Sequence, residues 1–156
     1  VLLDGVVIAA VAHLIATPLF GALSDRVGRK PVYLGGALFL AAYSFPFFWL
    51  VETRTTEWVW LAIVVGMVGH AAMYGPQAAF LSELFGTRVR YTGASLGYQF
   101  AAPLSGGLAP LVATALLAWS GGDPWPVGVY LVGMALVTVV SVLLVSETHR
   151  RDLDNE

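Results

Sequence analysis

Charged residues are confined to short breaks between five long apolar stretches of this chain. The windows Gly5–Ser24, Pro31–Val51, Trp58–Ser82, Tyr91–Gly122 and Pro124–Ser146 hold no Asp, Glu, Lys or Arg, and are 20, 21, 25, 32 and 23 residues long. A helix rises about 1.5 Å per residue, so about 20 residues cross the roughly 30 Å hydrocarbon core of a bilayer. The pattern predicts an all-α integral membrane protein with five spans, over about 5–24, 32–51, 58–82, 92–119 and 126–146, and a tail at 147–156. The 32-residue window counts as one span because Tyr91 and Trp119 at its ends suit interfacial positions.

The breaks carry the orientation. With five spans, Arg26, Arg29, Lys30, Arg88, Arg90, Arg150 and Arg151 share one side, and Arg54 alone of the eight basic residues lies opposite. Lys and Arg in short loops mark the cytoplasmic face, so the chain is expected to start outside and end in the cytoplasm of a bacterial inner membrane. If Tyr91–Gly122 were two spans or none, Arg150 and Arg151 would move outside and the bias would break.

Composition narrows the class. Hydrophobic residues make up 58% and charged residues 12%, about half the charge share of a soluble domain. The net charge of -2 offers no basic surface for nucleic acid. Without cysteine there is no disulfide, thiolate nucleophile or thiolate metal site, and His13, His70 and His149 lack metal-ligand spacing. No cofactor is expected. The opening at Val1, almost inside an apolar run, reads as that of a fragment rather than a signal peptide.

Two interspan segments are specific. Gly21 to Lys30 reads GALSDRVGRK, and Tyr74 to Gln99 reads YGPQAAFLSELFGTRVRYTGASLGYQ. A plain positive-inside loop needs the bases of the first but neither its glycines nor Asp25. The spacing GxLSDRxGRK resembles the loop signature of the major facilitator superfamily, found after its second and eighth helices. ELFGTRVRYTGAS is similar to that superfamily's loop between the tenth and eleventh helices, and Ser146-Glu147-Thr148 falls where sugar-porter-like members end the twelfth. Over nearly its whole length the second segment resembles the metabolite:H+ symporter group. Gly86 departs from it, standing where many relatives have proline, and Ser146 stands where the sugar-porter pattern has proline.

The resemblance implies that the five spans are helices eight to twelve, most of a C-terminal six-helix bundle, with the seventh helix and the six helices of the N-terminal half missing. It implies a secondary transporter that moves a small polar metabolite, an organic acid or osmolyte, by alternating access and with protons. It also implies a cytoplasmic gating network. There Arg29, Glu83, Arg90 and Glu147 hold the inner face closed, with Asp25, Arg26, Lys30 and Arg88 in the same loops; the topology independently puts them on one membrane face. Asp25 is one turn before Arg29 and can accept from it. The plain alternative is a set of solvated loop charges.

On the third span Gly66, His70, Tyr74 (or Met73), Gln77 and Leu81 recur at three- and four-residue intervals, one helical face. Polar groups within a bilayer are costly and usually face a cavity or the bundle interior. In the superfamily that the chain resembles, the tenth helix borders the central cavity, which makes His70, Tyr74 and Gln77 candidates to line a substrate cavity, with Tyr98 and Gln99 of the fourth span; interhelical hydrogen bonds are the bland alternative. Ala78 and Ala79 fall on other faces. His13 reads as a satisfied buried histidine. The fourth span concentrates helix breakers, Gly93, Gly97, Pro103, Gly106, Gly107 and Pro110, which suit either close packing or an interrupted helix at a transport site.

Two other classes compete. A non-transporting multi-pass scaffold or truncated product shares the same spans. Gly93-Ala94-Ser95-Leu96-Gly97 matches the GxSxG of a serine hydrolase, which needs a strand-to-helix turn with histidine and acid partners. Here the pattern opens a span, and no span holds a carboxylate. A proton-carrying acid is therefore expected in the missing half, unless His70 or His13 serves.

Overall fold

The computed structural model describes residues 2–85 and 89–145, which form helices joined by short turns. In chain order these are α1 (Leu2–Val27), α2 (Arg29–Glu52), α3 (Thr56–Glu83), α4 (Arg90–Ala102), a π-helical turn (Pro103–Gly107), α5 (Leu108–Trp119) and α6 (Trp125–Leu144). The π turn joins α4 and α5 into one helical run, Arg90–Trp119, so five helices are long and apolar enough to cross a membrane. Arg88, Glu147 and the tail lie outside the described residues.

Glycine makes the sharpest break. Gly28 adopts φ +119°, which L side chains rarely accept, and so separates α1 from α2 within one residue. At the opposite end Thr53, Arg54 and Thr55 turn α2 into α3. The breakers of the fourth span do not open a gap. Pro103 has no N–H to donate, and the chain widens to a π turn in which the Leu108 N–H reaches the Pro103 carbonyl.

α3 is the centre of the packing, running against both α1 and α2, while α6 lies on α2. Small residues permit this: Ala9, Ala16, Ala37, Ala62, Ala71 and Ala72 are all buried. In lipid the apolar effect does not drive helices together, so close backbone approach must. The α1–α3 crossing is the tightest. A Cβ on Gly75 would sit 2.6 Å from the Thr17 carbonyl oxygen and 2.9 Å from the Gly21 nitrogen. Large apolar side chains point outward instead, among them Leu3, Leu14, Leu19, Phe100, Leu111 and Leu144. No described residue of the fourth span belongs to the core.

Candidate functional site

Two polar regions interrupt this apolar framework, one at a helix end and one between helices. At the end, Arg29 opens α2 and turns its guanidinium back over the loop. Its Nη2 lies 3.1 Å from Glu83 Oε1, and its Nε donates to both Glu83 oxygens at 3.3 and 3.4 Å. Its Nη1 donates to Ser24 Oγ at 2.8 Å and pairs with Asp25, one turn back on α1. Ser24 is fully buried and itself donates to the Gly21 carbonyl at 2.7 Å. One cation thus ties the end of α1 to the end of α3. The Arg29 and Glu83 side chains are only 13% and 20% exposed, against 61% for Asp25, so the Glu83 arm is the desolvated one.

Lys30 extends the clasp to α6. Its Nζ donates to the Leu143 carbonyl at 3.2 Å and also to that of Val145. These are carbonyls at a helix C-terminus, where no intrahelical donor remains and the helix dipole favours a cation. Arg26 is exposed. Arg90 opens α4 with Nε and Nη2 buried and without a hydrogen-bond partner among the described residues. Of the four network residues, the structure therefore brings Arg29 and Glu83 together and leaves Arg90 apart, while Glu147 lies outside the described residues, as does Arg88.

The second region is a cavity of about 440 Å³ between α3 and α4, lined by Tyr74, Gln77, Ala78, Leu81, Ala94, Ser95, Tyr98 and Gln99. Four of the five expected lining residues are here. His70, the fifth, does not line it but meets His13 of α1, with 3.1 Å between His13 Nε2 and His70 Nδ1. The expected face of α3 thus divides along its length. Gly66 lies against Tyr43 and Phe47 of α2, His70 against α1, and Tyr74, Gln77 and Leu81 against the cavity. Met73 turns to α2, where it packs on Gly36. Ala78, placed by its spacing on another face, lines the cavity.

Sequence reasoning missed the His13 contact. The signal available was a polar side chain near the middle of each of two apolar helices, which gives a reason to pair them but not the crossing geometry. Ser95 lies within α4, not on a strand-to-helix turn, so the hydrolase pattern has no elbow.

The cavity offers phenol, amide and hydroxyl groups and no charge. It can make hydrogen bonds to a small polar molecule.

Comparison with known proteins gives the same class. The family model of the Major Facilitator Superfamily matches residues 5–156. The chain is 34% identical over 134 residues to the shikimate transporter of Escherichia coli, covering 85% of this chain and 31% of that protein. It is 34% identical over 146 residues to the inner membrane metabolite transport protein YhjE of the same organism, covering 93% and 33%. To a citrate-proton symporter of Klebsiella pneumoniae it is 29% identical over 120 residues, covering 76% and 27%. The chain thus spans about a third of the length of these relatives. No solved structure matches it. A match over nearly every residue, with relatives that carry metabolites and include proton symporters, means that this multi-pass membrane chain belongs to the Major Facilitator Superfamily.

Proposed function

We propose that this chain is helices eight to twelve of a twelve-helix, proton-coupled transporter of a small polar metabolite. The observation that carries the reading is the uncharged polar cavity between α3 and α4, with Tyr74 and Gln77 facing Tyr98 and Gln99. The transporter works by alternating access, this half rocking against an N-terminal half. The Arg29–Glu83 pair belongs to the inner gate: both residues sit at helix ends that the charge bias assigns to the cytoplasm. Made in one state and parted in the other, such a pair biases a two-state equilibrium. The substrate is an organic acid or an osmolyte, the two chemistries named among the relatives: shikimate and citrate on one side, ectoine and proline on the other.

The test is uptake of labelled shikimate, citrate, proline and ectoine by cells expressing the full-length protein, with and without a protonophore. The expected result is accumulation of one chemical class, abolished by the protonophore. Accumulation of none by a correctly inserted protein contradicts the transporter reading. Accumulation indifferent to the protonophore contradicts the coupling.

A further inference from the structure

Near the middle of α1 and α3, His13 and His70 form a hydrogen-bonded pair whose direction the neighbours decide. The Thr17 hydroxyl donates to the His13 carbonyl at 2.8 Å, so its oxygen faces His13 Nδ1, 3.4 Å away, as an acceptor. His13 therefore holds its proton on Nδ1 and presents a bare Nε2. The bond across the 3.1 Å gap must then come from His70 Nδ1–H. Among the described residues this leaves His70 Nε2 as the one ring nitrogen of the pair with neither a proton nor a donor, on a residue that is exposed. Tyr74 stacks on that ring at 5.7 Å and 28°, and lies 5.5 Å from His13.

We propose that His13 and His70 act as one proton-binding site, which takes a single proton at His70 Nε2. Protonated there, His70 becomes a charged donor to His13 Nε2, a stronger bond than the neutral one, and its cation lies beside the Tyr74 ring. A second proton is opposed. It must occupy His13 Nε2, which breaks the bond, and it sets two cations with ring centroids 5.3 Å apart. The windows of all five spans hold no Asp, Glu, Lys or Arg. The titratable groups offered by packed helices are Tyr74 on α3, Tyr98 of α4 across the cavity, and two tyrosines of α2. Of these two, Tyr33 packs on Phe80 and Tyr43 donates to the Ala62 carbonyl at 3.3 Å. The Arg29–Glu83 pair is thirteen residues along α3, about 20 Å away. Tyr74 touches both the proton site and the cavity, so occupancy of one is felt at the other. The site's use in transport rests on the proton-coupled reading above; its existence rests on the geometry alone.

The test is nitrogen NMR of the full-length protein, labelled with 15N-histidine in bilayers, with His13→Gln and His70→Gln assigning the two rings. In alkaline buffer both rings are expected in the Nδ1–H form, and on acidification the pair takes up one proton, at His70. Thr17→Val removes the acceptor that orients His13 and is expected to release its tautomer. An Nε2–H tautomer at His70 in the unprotonated pair, or two rings that each take a proton independently on acidification, overturns the proposal. In proteoliposomes His13→Gln is expected to lose proton-driven accumulation in larger measure than exchange. Equal loss of both overturns a role in coupling. Protonophore-insensitive uptake by the unsubstituted protein sinks the coupled-transport reading instead, and leaves the spectra to judge the site.

Discussion

Glu83, Ser24 and Asp25 share the one guanidinium of Arg29, and that sharing makes its contacts interdependent. Exposed ion pairs contribute about 0–1 kcal/mol, but the Glu83 arm is shielded and shares its cation with Ser24 and Asp25. Arg29→Ala and Glu83→Ala are expected to be non-additive, with a coupling of about 0.5–3 kcal/mol in the balance between inward- and outward-open states, read from accessibility of the cavity to a cytoplasmic thiol reagent. Simple additivity removes the pair from the gate. At the cavity, Gln77→Ala and Tyr74→Phe each delete a hydrogen bond of about 0.5–1.5 kcal/mol and are expected to weaken substrate affinity about two- to tenfold. Ala79→Val, which is not in the lining, serves as the packing control; damage by the control alone would make the face structural. The polar lining was legible because Tyr74, Gln77, Tyr98 and Gln99 stand out within uncharged apolar runs. His13 was not, because its partner is 57 residues away and depends on which faces of two helices meet. Ala78 was misplaced because an open cavity reaches round more of a helix than a three- and four-residue stripe covers.

The helices themselves were readable from charge placement alone, and their ends less so. α1 begins at Leu2 and α2 at Arg29, outside the apolar windows, because a helix can continue into the interface with charged residues while the hydropathy signal stops. The breakers at Pro103, Gly106 and Gly107 announced irregularity without its form, which is a π turn in a continuous helix. Two predictions belong to this scale. Gly75→Val drives a side chain into the α1 backbone, so it is expected to cost about 1–3 kcal/mol or more and to reduce the melting temperature of the purified protein. Gly97→Ala, with nothing within 4 Å of a new Cβ, is expected to leave it unchanged. Equal effects would mean that the α1–α3 crossing is not the tight contact described. Lys30→Met removes the donor at the end of α6 and is expected to cost about 0.3–1 kcal/mol, read as a smaller drop in the same melting temperature.

Across the described residues, packing is concentrated in α1, α2, α3 and α6, while the fourth span touches the rest lightly and has no residue in the core. Such a distribution suits a part of a larger bundle, whose outer faces meet lipid or a second half. We propose the orientation that the charge bias favours: single cysteines at Val27 and Val89 of the full-length protein are expected to label from the cytoplasm, and those at Thr55 and Gly122 from outside. Labelling of Val89 and Thr55 from one side would remove the five-span topology. The central claim is that the space between α3 and α4 receives the transported metabolite. This chain has no cysteine of its own, and Ser95 lines that space with a side chain close in size to cysteine. The direct measurement is the rate at which a membrane-impermeant thiol reagent modifies Ser95→Cys, in a background without other cysteines, with and without the metabolite that the protein accumulates. The account predicts slowing by that metabolite and not by one that is not carried; an unchanged rate in a variant that still transports would contradict it.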